Sequence, residues 1–386
     1  MADTPRIYLD SAATTPPAPE VVEAVREAMA TSWGNASSAH AAGSRARRIV
    51  EEARVKVAAL LGGRPDEVIF TSGATEANNT VLQGLPGDRG RVVISAVEHP
   101  CVMEAAAALE RRGWTVTRVG VDDTGLVDPE AVGKALGKHT ALVSVMLANN
   151  EVGTIEPVAA IAKLARAAGA LVHTDATQAV GRIPVDAGAL GVDYLSLSAH
   201  KFHGPKGVGA LWVRRGAPVT PLLRGGSQEG GRRSGTLNVP GIAGLGVAAE
   251  LAKTRLAETA DQVGVLRDRL ERGIRSGVQG LRLNGPPDLR LPSHLNMSFD
   301  LVEGEALLMR LDLAGIAVST GSACSSGSVK ASYVLTAMGC DEIRAAGAVR
   351  FSVGATNTEA EIDRVVGLLP GIVADLRKAP PAWAKG

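Results

Sequence analysis

Through residues 67–214, short apolar runs alternate with stretches whose apolar positions recur at helical spacing. The runs at 67–70, 91–95, 115–121, 140–148, 170–175, 194–198 and 208–214 predict strands. Between them, 101–111, 128–136 and 161–168 predict helices, as does the segment that follows TSGATEANN. Asp128-Pro129 supplies an N-cap and a proline at the first helical position. Two helices precede this region. The first, 20–31, carries Val21, Val22, Val25 and Met29 on one face; the second, 44–61, carries Ile49, Val50, Val57 and Leu60. Strands that are apolar throughout, separated by amphipathic helices, predict a largely parallel sheet covered on both faces. Ligands of such sheets sit beyond the C-terminal strand ends. The polar clusters TSGATE, VEHP, NNE, DATQ and SAHK fall at those ends.

A long helical segment, 248–276, leads into a second pattern. Strands at 294–299, 316–319 and 349–353 alternate there with helices at 303–313, 332–338 and 359–376, which predicts a smaller α+β lobe. The chain has 386 residues, more than the ~250–300 at which one core stops growing. We therefore expect a large domain over 12–255, and a small domain formed by 1–11 with 256–386.

Composition narrows the class. Aromatics are only 3%, so the core must be built from Ala, Val, Leu and Ile. A net charge of +1 leaves no electrostatic footprint for nucleic acid or an anionic membrane. The N-terminus lacks the pattern of a secretory signal. Three cysteines, Cys101, Cys324 and Cys340, are too few and too scattered for a disulfide framework or a zinc site. A reducing cytoplasm and no metal are the expectations.

Candidate chemistry gathers at the strand ends. Lys201, in YLSLSAHKFHGPKG, is either a solvated loop lysine or an amine held at the rim of the sheet for Schiff-base chemistry. Asp175 ends an apolar strand, where a carboxylate needs a partner: a protonated ring nitrogen, or the N-terminus of the next helix. Gln178 could reach the same ligand. TSGATE opens a helix, so an anion at Ala74 and Thr75 is reasonable, although the same residues make an ordinary N-cap. Ser198 and His200 flank the lysine and could add donors. His99 could lie on a planar ring and move a proton, or be structural. Asn149, Asn150 and Arg350 are candidates for gripping a substrate, with an internal ion pair as the alternative for Arg350. Cys324 lies among small residues in STGSACSSGS, which suits an accessible, travelling nucleophile, with an incidental free thiol as the alternative. Cys101 and Cys340 read as structural.

The ordered motifs YLDSAATTP, GNASSAH, TSGATEANN, EHP, NNEVGT, HTDATQAVG, SLSAHKFHGPKG, RSGT, GSACSS and AVRFSVG resemble the cysteine desulfurase family. That family lies within the class V aminotransferases of fold-type I, and STGSACSS is similar to the loop of its SSGSAC group. The resemblance implies a mainly parallel, seven-stranded sheet flanked by helices, a smaller α+β domain and a pyridoxal 5'-phosphate cofactor. It implies that Lys201 forms the Schiff base, Asp175 pairs with the ring nitrogen and Gln178 bonds the phenolic oxygen. His99 would stack on the ring. Thr75, Ser198 and His200 would bind phosphate, joined by Thr236 from the other subunit of a homodimer. Asn149 and Arg350 would hold the carboxylate of L-cysteine. Cys324 would take its sulfur as a persulfide, leaving alanine, and deliver it to an acceptor protein such as an iron–sulfur scaffold or thiolation protein. A selenocysteine lyase or another class V enzyme is the alternative, and a non-catalytic scaffold a more distant one. GNASS in place of the commoner GNPSS, and Ser227 and Gly230 in GGSQEGGRRSGT, depart from the family's pattern.

Overall fold

The computed structural model describes residues 6–87, 89–320 and 331–379. Cys324 lies outside the described residues. Among those described, the strands in chain order are β1 (Ile7–Tyr8), β2 (Val68–Thr71), β3 (Arg91–Ser95), β4 (Thr115–Val119), β5 (Thr140–Ser144), β6 (Leu171–Asp175), β7 (Tyr194–Ser198), β8 (Gly209–Val213), β9 (Leu281–Asn284), β10 (His294–Phe299), β11 (Ile316–Ala317) and β12 (Ala348–Ser352). Seven of them form one sheet in the order β2-β8-β7-β6-β5-β3-β4. Only β8 runs against its neighbours, so the sheet is mainly parallel, as expected.

Successive residues of these strands serve two different cores. Val93, Leu195 and Leu197 pack with Val50 and Val57 of helix Ala41–Leu60 and Ile161 of helix Val158–Ala167. Val92, Ile94 and Tyr194 face the other way, onto Ala77 and Val81 of helix Ala74–Gln83 and Val102 and Leu109 of helix Pro100–Arg111. Side chains alternate across a strand, so a run that is apolar at every position is what two covered faces require.

The C-terminal part of the chain builds a three-stranded antiparallel sheet, β12-β10-β9. The N-terminus joins it: β1 pairs parallel with β11, and Ile7 and Leu9 enter the same core as Met297 and Phe351. Helix Val239–Gly277 spans both regions. Ile242 and Leu245 belong to the core of the large sheet, Leu266 and Ile274 to that of the small one.

Three sequence expectations change. Helix Pro19–Thr31 buries Val21 and Ala28, but leaves Val22 and Met29 exposed at 53% and 64%, so the described residues cover only part of its apolar face. The run at 140–148 is a strand only to Ser144, because β3 ends at Ser95 and leaves one edge. Leu147 still donates to Asp175 O at 2.9 Å on the other edge. Strand β9 and helix Glu342–Ala346, which periodicity did not reveal, complete the small lobe. Among the described residues, no helix is long and apolar enough to cross a membrane, and no group of His, Cys, Asp and Glu could hold a metal.

Candidate active site

Strand β7 is buried at every position and ends in a single 3-10 turn, Ala199–Lys201. A strand fixed on both faces and closed by a tight turn delivers Lys201 to the sheet rim. Its Nζ donates to Ala12 O at 2.7 Å and Ala13 O at 2.8 Å, both in the turn after β1. Burial, then the charges of Arg182 and Arg350, pull this amine down to about 7. Lys201 is therefore no solvated loop lysine. A large fraction of it is neutral, and so nucleophilic, near neutral pH.

Asp175 ends β6, the adjacent strand, and is buried. Asn78 Nδ2 donates to its Oδ2 at 2.7 Å, and Thr177 N to its Oδ1 at 2.9 Å. Gln178 Nε2 donates to Ala12 O at 3.0 Å, the same carbonyl that Lys201 holds. Two buried oxygens here, Gln178 Oε1 and Thr177 Oγ1, have no hydrogen-bond partner.

Helix Ala74–Gln83 begins at Gly73, which offers no side-chain cap. The first-turn N–H groups are left for an anion. The turn can sit there because β8 begins with glycine: a Cβ on Gly209 would come within 2.4 Å of Leu197 O and 2.7 Å of Gly73 Cα. Ser198 and His200 border the same turn. Burial, then the Lys201 charge, pushes His200 down to about 4, so it is neutral, with Nδ1 3.1 Å from Thr14 Oγ1.

His99 caps helix Pro100–Arg111, its Nδ1 accepting from Cys101 N at 3.2 Å. Nδ1 is then the acceptor, which leaves Nε2 to carry the proton of the neutral ring. Burial lowers the pKa of the imidazole. The Cys101 sulfur lies 3.0 Å from the same Nδ1 and 3.1 Å from Asn78 Nδ2. Burial pushes that thiol up to about 12, so Cys101 is a wall of the site and not a nucleophile.

Ala74, Thr75, His99, Asp175, Gln178, Ser198, His200 and Lys201 thus line one cavity, of about 550 Å³. Three predicted residues stand apart from it. Asn149 is fully buried, with its amide spent on Val97 O at 3.2 Å and on the N–H groups of Glu151 and Val152 at 2.8 and 3.1 Å. Asn150 is the asparagine that lines the cavity. Arg350 makes an ion pair with Asp10 at 2.7 Å and a bond to Asn150 O at 2.8 Å, while its buried Nε has no partner. Thr236 is exposed. Its loop is pinned by Arg233 on Glu76 at 2.8 Å and by buried Glu229, which takes both Nη atoms of Arg54 at 2.7 and 2.8 Å. Sequence reasoning missed Asn78, Gly209 and the carbonyls of Ala12 and Ala13. Asn78 lies four residues past Ala74, one helical turn on, and that spacing was the available signal.

Residues 7–365 match the model of the family described as aminotransferase class-V. A relative from Gluconacetobacter diazotrophicus named cysteine desulfurase is 49% identical over 98% of this chain and 96% of its own. A solved NifS-like protein superposes with a TM-score of 0.90 at 40% identity, covering 96% of this chain and all of its own. A structure titled SspA in complex with cysteine gives 0.81 at 33%, covering 91% and 100%. Matches of this extent, on a site that joins a depressed lysine to a buried aspartate, show that the chain is an enzyme belonging to the aminotransferase class-V family, within its cysteine desulfurases.

Proposed function

We propose that this cysteine desulfurase holds pyridoxal 5'-phosphate in the Lys201 cavity, takes L-cysteine as substrate and carries the sulfur away on Cys324. The observation that carries the reading is the pairing, in one cavity, of an amine at about 7 with a buried carboxylate and an uncapped helix N-terminus. An aldehyde, a basic ring nitrogen and a phosphate are the three features those groups match. The unpartnered Gln178 Oε1 and Thr177 Oγ1 lie in residues lining the same space. Turned about its axis, the Gln178 amide would present Nε2 to a phenolic oxygen at the cost of its bond to Ala12 O.

Bound there, the cofactor supplies an aldehyde for condensation with amines and a ring that accepts the electron pair of a broken α C–H bond. Lys201 would hold that aldehyde, and its free amine would take the α proton of the substrate. Asp175, held in place by Asn78 Nδ2 and the Thr177 N–H, would pair with the ring nitrogen. His99, with its proton on Nε2, bounds the ring and assists proton transfer. Thr75, Ser198 and His200, with the N–H groups of the turn at Ala74, receive the phosphate. Arg350 would meet the substrate carboxylate through Nε, its unpartnered nitrogen, aided by Asn150, which lines the cavity.

The Cys324 thiolate attacks the cysteine sulfur. An S–S bond forms, the C–S bond breaks with its electrons going to the β carbon, which takes a proton, and return of a proton from Lys201 to the α carbon completes alanine. The enzyme is left with a persulfide, which an acceptor protein or an added thiol removes. We place the enzyme in the cytoplasm, where thiols stay reduced. We also propose a homodimer in which Thr236 reaches the partner's phosphate. The exposure of Thr236, and of the apolar Val22, Met29 and Trp33, supports that arrangement.

The test is direct. Purified enzyme with L-cysteine and dithiothreitol should release alanine and sulfide in equal amounts, and Cys324→Ala should abolish sulfide release. Pyruvate with ammonia as products, or unchanged turnover without Cys324, would overturn the persulfide route.

A further inference from the structure

A second cavity, of about 490 Å³, shares only Lys201 with the first. It lies between helix Val239–Gly277, the segment 15–20 and the residues after β12, so it borders elements of both lobes. Its walls are mainly apolar, with Phe202, Leu251, Leu256, Val263 and Val353 among them. One buried charge belongs to it, that of Arg182.

Arg182 is unlike the other buried arginines. Arg54 meets Glu229, Arg290 meets Glu271 and Arg350 meets Asp10. Among the described residues, Arg182 has no carboxylate partner. Its Nη1 donates to Gln178 O at 2.9 Å and its Nη2 to Ser11 O at 2.8 Å, both neutral carbonyls. A guanidinium has more N–H groups than these bonds use, and its preferred partner is a carboxylate met side-on. At the rim, Arg255 is already paired with Glu20 at 3.0 Å, so the rim adds no net charge. A buried cation without a counter-ion is costly unless something supplies one.

We propose that this cavity binds a small monocarboxylate with an apolar body, its carboxylate on Arg182 and its hydrocarbon against Phe202, Leu251, Leu256 and Val263. The volume and lining are those of ordinary small-molecule sites: apolar walls with one placed polar group. A second carboxylate would meet only Lys201, already held by Ala12 O and Ala13 O, and Arg255, already paired with Glu20. The site does not depend on the reaction proposed for the first cavity. It does touch it, because the Arg182 charge helps to hold the Lys201 amine down. A bound carboxylate would relieve that push.

The experiment is isothermal titration of sodium octanoate into the purified holoenzyme, with n-octylamine hydrochloride as the cationic control. Saturable binding of one octanoate per chain, with none of octylamine, is expected. Arg182→Gln should weaken octanoate by about tenfold or more, the loss of a charge-assisted pair. Ala260→Trp, which fills the cavity from the long helix, should remove binding while leaving Arg182 in place. No saturable binding at millimolar octanoate, equal binding of octylamine, or octanoate affinity unchanged by Ala260→Trp would overturn the proposal. If Arg182→Gln does not fold, the octylamine and Ala260→Trp arms decide it.

Discussion

Asn78 donates from Nδ2 to Asp175 Oδ2 at 2.7 Å, and the same nitrogen lies 3.1 Å from the Cys101 sulfur. One amide therefore holds two walls of the cavity. Replacing it by alanine leaves a buried carboxylate short of a donor, a loss of about 1–3 kcal/mol. Asn78→Asp should be worse, because a second carboxylate beside Asp175 forces one of the pair to stay protonated. Cofactor content after dialysis should fall in the order wild type, Asn78→Ala, Asn78→Asp.

Cys101 should not react. Its thiol is pushed up to about 12 by burial and by the Asp175 charge, so almost no thiolate exists at pH 8. Brief treatment of the native enzyme with iodoacetamide, followed by peptide mass spectrometry, should leave Cys101 unmodified. Unfolding in urea should expose it.

Lys201 gives a pH signature in the cofactor-free protein. Its folded pKa is about 7 and its ordinary value 10.5. Between these, the unfolded chain binds the proton that the folded chain has released, so stability rises with pH. Below about 7 the folded state carries the full penalty of a buried ammonium. Urea denaturation at pH 6, 8 and 9.5 should show wild type gaining on Lys201→Met across the interval. A constant difference between the two proteins would contradict a depressed lysine.

The buried Arg54–Glu229 pair fastens the loop that carries Thr236. Glu229 also accepts from Phe70 N at 2.9 Å, and the Arg54 guanidinium lies 4.8 Å from the Phe70 ring centre. Arg54→Met strands a buried carboxylate and should cost about 3–5 kcal/mol. The double variant Arg54→Met/Glu229→Gln should recover a large part of it. Chemical denaturation of the three proteins measures both effects.

Gly209→Ala tests the tight approach under the phosphate turn. The added methyl meets Leu197 O and Gly73 Cα, and backbone on both sides cannot move cheaply. A loss of about 1–3 kcal/mol is expected. Weaker retention of pyridoxal phosphate should accompany it, read as a raised dissociation constant in fluorescence titration. Unchanged retention would separate the turn from the phosphate.

The fold was legible where periodicity was unambiguous. The apolar runs of the large sheet face two cores, and a run apolar at every position has that single stable placement. The Asp128 cap was legible because it is local: its side chain accepts from Glu130 N at 2.9 Å. Helix Pro19–Thr31 was misjudged in one respect. Val22 and Met29 have core-like spacing but no core above them, and burial depends on what packs there, not on spacing.

The site divides in the same way. Lys201, Asp175, His99 and the TSGATE turn could be named because each sits at the end of a predicted strand. Asn78 was not named: its spacing puts it one turn past Ala74, but its partner appears only when β6 is laid beside it. Arg350 was left between a substrate and an internal ion pair, and Asp10, which it pairs with in the protein alone, is 340 positions away.

By itself the sequence determined the parallel sheet, the strand-end placement of the reactive groups and the family, all properties carried by local pattern or ordered motif. Only the tertiary structure decided their chemical state. The amine of Lys201 falls to about 7 because β7, the turn after β1 and two arginines from other segments enclose it. Arg182 is left without a carboxylate because none of the described residues brings one to it. Such states depend on burial and on charges brought close by folding, and distance in space is not written in distance along the chain.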